Sequence, residues 1–342
     1  MDSTDPVPAH AELLDLINAS WTTQAIRTAC VLRVPERLAG AECEAAAIAA
    51  DLGCHAASLE RLLRALASLG LCSVDGQGRY TLTASGELLR DDHPHSLRAW
   101  ALLAGGVAWQ RWAELDHSVR SGLSHRQRHH GHAGFEDLGS NPAAAAVFHR
   151  AMVDITRPVA IAVARAIDAR AARLVVDVGG SSGVLLAHVL AAHPGPDGVL
   201  FDLPHGLEGA SAVLERAGVA GRCTLVAGSF FDSVPAGGDL YLLKSVLHNW
   251  DDERCTQILR HCRQAMAPGG RLLVIERVTA ERPGTAAHDR AVARSDLNML
   301  VALTGRERRA GEFAALFAAA GLALQRDLGA AGEFRILQLA AA

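Results

Sequence analysis

The stretch RLVVDVGGSSG (173–183) constrains this chain more than any other. Its apolar residues read as a strand buried on both faces, and a Gly-rich turn then opens into SGVLLAHVLAAH, a helix. The same alternation recurs downstream. GVLFDL (198–203), RCTLVA (222–227), DLYLLK (239–244) and RLLVIERV (271–278) read as strands. A helix through about residue 217 follows GVLFDL, DDERCTQILRHCRQAMAPGG (251–270) is the helix before the last, and FAALFAAAG is another. Near-continuous apolar strands separated by helices predict an α/β fold with a doubly wound, mostly parallel, Rossmann-like sheet. LALQRDL and EFRILQLA at the C-terminus predict a closing hairpin, whose antiparallel strand makes the sheet mixed.

The turn also points to a ligand. A dinucleotide fingerprint needs G-x-G-x-x-G, and Val178 stands two residues before Gly180, so that register fails. The spacing that fits is D-x-G-x-x-x-G, using Asp177, Gly179 and Gly183. Gly lets the backbone take positive φ and approach a ligand closely. Asp202 ends the second strand, where a carboxylate can accept both ribose hydroxyls. Together they predict a nucleoside site at the carboxyl ends of the strands.

Residues 10 to about 95 carry a different pattern. AELLDLINASWTTQAIRTACVL places Leu13, Leu14, Ile17, Trp21, Ala25 and Ala29 at helical spacing. ECEAAAIAADLG is a short helix stopped by Gly53, and SLERLLRALASLG is a helix with Ser58 as N-cap and Gly70 as stop. LCSVDGQGRYTLT then puts DGQG between two alternating segments, a hairpin. Helix, turn, helix, hairpin is the order of a winged helix, which is either a DNA reader or a dimerisation scaffold. Charge separates the two. Residues 1–90 hold 7 Arg against 11 acids, a net of 7 − 11 = −4, and a DNA reader needs a positive patch. Domains of 1–100 and 101–342 follow, the stretch 101–170 of the second being mostly helical, with Pro142 suited to a first helical turn.

Composition removes other classes. The formal net charge of the 342 residues is −4, so no global basic field gathers nucleic acid or an anionic membrane. No apolar run reaches 18 residues, and MDSTDPVPAH lacks the basic and apolar regions of a signal peptide. The seven Cys are odd in number and never spaced C-x-x-C, which predicts reduced thiols in a cytoplasmic protein. SHRQRHHGHAG carries His125, His129, His130 and His132, with no nearby carboxylate or Cys completing a familiar metal spacing; it reads as a solvated loop, and no metal site is expected.

At this point five ordered motifs resemble one family, the S-adenosylmethionine-dependent small-molecule O-methyltransferases of plants (the caffeate type) and of bacterial natural-product pathways. RLLRALASLGLCSVDGQGRYTLTASGELLRDDHP resembles its N-terminal dimerisation domain. VVDVGGSSG resembles the cofactor loop, FDLP the ribose-binding strand end, GSFFDSVPAGGDLYLLKSVLHNWDDERC its most specific segment, and LNMLVALTGRERRAGEF its substrate-pocket segment. The resemblance implies a seven-stranded methyltransferase sheet behind a winged-helix domain, S-adenosylmethionine as methyl donor with S-adenosylhomocysteine as product, and a homodimer through the N-terminal helices. It assigns His248 as catalytic base, flanked by Glu276 and Glu307. It assigns Gly179, Asp202, Phe230 and Lys244 to the cofactor, with Trp250 beside the adenine. Phe148, Met152, Asn298 and Met299 fall at acceptor-pocket positions.

The residue types suit these roles. Methyl transfer from a sulfonium asks the protein to deprotonate an acceptor and hold it in line. His, with an ordinary pKa near 6.5, suits base work at neutral pH, and a phenol near 10 is a reachable partner. A neighbouring carboxylate fixes the imidazole tautomer and stabilises the imidazolium. Lys244, the only Lys in the chain, ends a buried strand and so calls for a ligand or carboxylate partner. Three positions depart from the family pattern. Ser229 stands where an Asp usually receives the adenine amino group, Asn249 follows the His in place of Asp, and Thr304 replaces the first Gly of G-G-R-E-R. Hydroxylases, decarboxylases and cyclases of the same family, which often lack the base, form the competing expectation; a winged-helix regulator sensing a ligand is a third.

Overall fold

The computed structural model describes residues 6–131, 135 and 141–342; His132 lies outside them. The described residues fall into two compact units, Met1–Gln110 with Arg150–Asp154, and Arg111–His149 with Ile155–Ala342.

The first unit is a winged helix behind a long N-terminal helix, Pro6–Val31. Helices Ala45–Leu52 and Ala56–Ser68 meet at Gly53, whose φ of +63° ends the first of them. Strands Cys72–Val74 and Arg79–Leu82 form the hairpin, and Asp75 builds its turn by accepting the backbone N–H groups of Gln77 and Arg79. Leu38, Ile48, Leu59, Leu63, Leu66 and Tyr80 form the core. Full burial of a Leu such as Leu63 contributes about 2 kcal/mol. Two details differ from the sequence reading. Cys43–Glu44 forms a third strand paired with Tyr80 and Arg79, so the following helix starts only at Ala45. Ser58 lies inside its helix, which His55 precedes, and its hydroxyl meets His55 Nδ1 at 3.0 Å. On the long helix Ala29 is buried, but Leu13, Leu14, Ile17 and Trp21 are exposed, Trp21 by 70%.

The second unit is built on seven strands. Their spatial order is Leu322–Ala331, Phe334–Ala341, Met266–Glu276, Gly238–Lys244, Leu174–Val178, Asp197–Asp202, Cys223–Ala227. The last five in this order are mutually parallel, while Phe334–Ala341 runs antiparallel to both of its neighbours, as the terminal hairpin requires. Period-two alternation divides the core. Val176, Val178, Tyr241, Leu243, Leu272 and Val274 share one face with helices Asp252–Ala265 and Ala310–Ala319. On the other face Gly198 comes so close to helix Val184–Ala192 that an added Cβ would lie 2.7 Å from Leu190. The helix expected over 251–270 stops at Ala265, and Met266–Gly270 starts an 11-residue strand in which Met266 pairs with Gly238.

Sequence order reverses between Leu174–Val178 and Gly238–Lys244, and ligands of open α/β sheets bind at such a switch, beyond the carboxyl ends of the strands. A short parallel ribbon, Val278–Thr279 with Arg308–Arg309, ties residues 305–309 to the chain leaving strand Met266–Glu276. The 125–130 stretch expected as loop is a helix, His125–His130, capped by Ser124 and Gln127 in reciprocal hydrogen bonds. Among the described residues no helix is long and apolar enough to cross a membrane.

Candidate active site

The sheet delivers the polar residues of the second unit to one edge. Asp177, Asp202, Lys244 and Glu276 all stand at the carboxyl ends of their strands. Gly179 takes φ +70°, and a Cβ there would press within 3.0 Å of Val246 and 3.4 Å of Phe230; Gly183 takes φ +76° against Leu200. Ser181, between them, also has positive φ, and its N–H donates to Asp202 Oδ2 at 2.8 Å. Asp202 Oδ1 accepts the Leu203 N–H. Burial raises the pKa of Asp202. The fully buried Asp177 is pushed up to about 7, by burial first and by the charge of Asp202 second. Asp177 Oδ2 has no hydrogen-bond partner, and neither does the buried Nε1 of Trp250.

Of the two partners expected for Lys244, a ligand or a carboxylate, no carboxylate forms an ion pair with it among the described residues. Its Nζ meets the Thr156 hydroxyl at 3.1 Å and sits 5.0 Å over the Phe334 ring. Burial and the nearby Arg277 lower its pKa to about 8, against the pull of Glu276 and Asp177. Trp250 packs edge-on against Phe230, Phe231 and Phe135. The Ser229 hydroxyl accepts the Phe231 N–H at 3.2 Å, so it braces its own turn.

His248 lies in a single helical turn, Leu247–Asn249, after the fourth strand. Its Nδ1 is 2.9 Å from Glu307 Oε1 and 3.9 Å from Glu276 Oε2. Glu276 is wholly buried, and its Oε1 accepts the N–H groups of Val246 and Leu247, which fixes the turn carrying His248. Glu307 also accepts the Ser295 hydroxyl at 2.6 Å, has Arg277 at 3.8 Å, and donates its own N–H to Asp296. Burial alone would lower the His248 pKa, but Glu276 and Glu307 outweigh it, and the net shift is upward. Burial likewise works to raise both carboxyl groups. For Glu276 it prevails, while for Glu307 the imidazole contact prevails and the pKa is lowered. With Nδ1 engaged by an ionised carboxylate, Nε2 is the nitrogen available to exchange a proton.

Around this turn Phe148 and Met299 flank Phe135, and the Asn298 side chain accepts the Trp112 Nε1–H at 3.0 Å. Met152 falls in Arg150–Asp154, the stretch grouped with the first unit. Several participants escape sequence reasoning. Arg308, fully buried, donates to the carbonyl oxygens of Leu247 and Trp250 and to Asp252. Gly305 lies so close that an added Cβ would sit 2.0 Å from the His248 carbonyl oxygen. Ser295 and Arg277 complete the surroundings of Glu307.

Family models decide what this arrangement belongs to. An O-methyltransferase domain model matches residues 112–323, and an O-methyltransferase dimerisation domain model matches residues 14–92. The chain belongs to the O-methyltransferase family. It is an S-adenosylmethionine-dependent O-methyltransferase. Phenazine O-methyltransferase PhzM from Lysobacter antibioticus is 38% identical over 97% of this chain and 96% of that protein. The crystal structure of the O-methyltransferase NcsB1 from neocarzinostatin biosynthesis, in complex with S-adenosylmethionine and 2-hydroxy-5-methyl naphthoic acid, is similar with a TM-score of 0.77 and 39% identity, over 94% of this chain and 96% of that one. Aclacinomycin 10-hydroxylase RdmB from Streptomyces purpurascens is 37% identical over 90% of this chain and 82% of that protein, so the family also holds an enzyme named for other chemistry.

Proposed function

We propose that this O-methyltransferase acts on a phenolic hydroxyl of a small aromatic or polyketide-like natural product, with His248 as general base. The observation that carries the reading is the Glu307–His248 pair at 2.9 Å, held by Glu276 at the switch-point edge of the sheet. His248 Nε2 takes the proton of the acceptor hydroxyl. Glu307 holds the tautomer and balances the imidazolium charge as it forms. Phe135, Phe148 and Met299 offer an apolar wall for an aromatic ring, and Asn298 adds a polar acceptor contact.

The opposite side of the turn fits the methyl donor. Gly179 and Gly183 leave a cradle that side chains would fill, and the unpartnered Asp177 Oδ2 and Trp250 Nε1 are polar atoms awaiting a ligand. S-Adenosylmethionine, when bound, supplies a methyl group already activated on a sulfonium. Asp202 holds the ribose, Lys244, Phe230 and Ser229 line the remainder, and Trp250 sits beside the adenine. The natural-product acceptors in the names of the relatives agree with this reading.

The exposed Leu13, Leu14, Ile17 and Trp21 on the N-terminal helix fit a homodimer interface in the matched dimerisation domain. The acidic winged helix binds no nucleic acid, and the enzyme works in the cytoplasm without membrane contact. The direct test is transfer of labelled methyl from S-adenosylmethionine to a panel of hydroxynaphthoates, hydroxyphenazines and simple phenols, beside the matching anilines and thiophenols. Label on phenolic oxygen supports the reading; label only on nitrogen or sulfur, or none on any aromatic acceptor, overturns it.

A further inference from the structure

The second unit carries a cluster that methyl transfer does not use. His125 and His129 lie four residues apart on helix His125–His130, hence on one face, with ring centroids 4.4 Å apart. Glu114, eleven residues before His125, is brought against them by the fold. Both of its oxygens lie within 3.0 Å of His129 Nε2. One donor atom from each of the three residues lies within 4.8 Å of the others. The buried His125 Nδ1 has no hydrogen-bond partner.

We propose that Glu114, His125 and His129 form a binding site for a borderline divalent cation of the Zn2+ or Ni2+ class. Two imidazoles and one carboxylate are the protein ligands of many three-ligand zinc sites, in which a water fills the fourth position. Donor atoms in a tetrahedral zinc shell stand about 3.4 Å apart, from bonds of about 2.0–2.1 Å. The His129–Glu114 contact is already near that spacing, so an ion takes the place of the hydrogen-bonding proton with little movement. Arg128 lies 3.3 Å from the same carboxylate, and the charge of Arg111 reaches His125. Both work against an ion held by charge alone. Calcium and magnesium, which need several oxygen ligands, are therefore excluded in favour of an ion that imidazole nitrogen attracts.

The ion would staple the start of helix Leu115–Ser121 to helix His125–His130. Both helices pack on Ala287–Ala302, which carries Asn298 and Met299. Buried Arg126, between the two histidines, sits 5.0 Å over Phe135. The staple thus acts on the wall of the acceptor side and not on the proton transfer.

The test uses full-length protein without a histidine tag, stripped with chelator and dialysed. Co2+ is titrated while its visible ligand-field absorption is followed, and Zn2+ binding is measured by calorimetry. The buried His248–Glu276–Glu307 group also offers three donors, so His248→Ala serves as a binding control. One equivalent is expected in the wild type and in His248→Ala, weakened at least tenfold in His125→Ala, His129→Ala and Glu114→Gln. Circular dichroism establishes that each variant is folded. Absence of saturable binding, or binding unchanged by the paired substitution of His125 and His129, overturns the proposal.

Discussion

Replacing Glu307 by Gln removes one charge from the His248 site with almost no change of shape. Gln can turn its carbonyl oxygen toward Nδ1 and toward the Ser295 hydroxyl, which stand 2.9 and 2.6 Å from the present Oε1. What is lost is the charge-assisted part of the contact. A hydrogen bond to a charged group is worth about 1.5–3 kcal/mol, which at about 1.4 kcal/mol per decade is a factor of roughly ten to 150 in rate. Glu276 places the loss near the lower end. Its Oε2 stands 3.9 Å from Nδ1, so at equal screening it retains 2.9/3.9, about three-quarters, of the field that Glu307 exerts there. Removing the Glu307 charge also removes one of the causes that raise the Glu276 pKa, leaving Glu276 more readily ionised. kcat/KM should therefore fall about tenfold. The pH profile adds a signature that a merely loosened site would not give. His248 must be neutral to act, and its pKa is raised, so activity climbs as pH passes through a value above the ordinary 6.5 of His. The variant loses one of the charges responsible, and its acid limb moves to lower pH. The assay is kcat/KM from methyl-label incorporation across the pH range, with urea unfolding as the check on folding. An acid limb that stays in place or moves upward, with wild-type kcat/KM, refutes the reasoning.

Arg308→Met takes the charged donor from the carbonyl oxygens of Leu247 and Trp250 and from Asp252, leaving the two carbonyls only weaker contacts such as the Cys255 thiol, and each hydrogen bond to a charged group is worth about 1.5–3 kcal/mol. Urea titration should show a loss of about 3 kcal/mol, and a loss under about 1 kcal/mol argues against the clamp. In Gly305→Ala the new Cβ meets the His248 carbonyl oxygen, which is backbone and cannot turn aside. Displacing the turn should cost about tenfold or more in kcat/KM, and because the same Cβ would lie 2.4 Å from the Trp250 nitrogen, calorimetry should also find S-adenosylhomocysteine bound more weakly. Ser229→Asp restores the carboxylate common in the family and should tighten S-adenosylhomocysteine about tenfold by adding a charged acceptor for the adenine amino group; equal or weaker binding shows that the adenine lies elsewhere.

The sheet was legible because parallel strands buried on both faces write themselves as apolar runs, and because Asp177, Gly179, Gly183 and Asp202 stand where a switch point needs them. The family resemblance supplied His248 with Glu276 and Glu307 flanking it, but not the device that helps bring residues 305–309 there, the two-residue ribbon joining Val278–Thr279 to Arg308–Arg309. A ribbon that short leaves no period to read. Met266–Gly270 looked like the tail of a helix because strand pairing, which overrides local preference, is invisible one segment at a time. Arg308 carried no signal of its own in the sequence, whereas its guanidinium is consumed by two carbonyls and a carboxylate. Glu114 was passed over as a partner of His125 and His129 because only the packing of two short helices brings it there. The apolar stripe of the first helix was read correctly as a stripe, but spacing alone does not say what covers Leu13, Ile17 and Trp21.

The most direct measurement is single-turnover methyl transfer from labelled S-adenosylmethionine to a phenolic acceptor by wild type and by His248→Ala, at equal saturation with both substrates and across neutral to alkaline pH. With His248 as base, the variant loses at least a hundredfold at neutral pH and recovers part of that loss as the phenol ionises in solution. Equal transfer by the two proteins at neutral pH would contradict the assignment of His248.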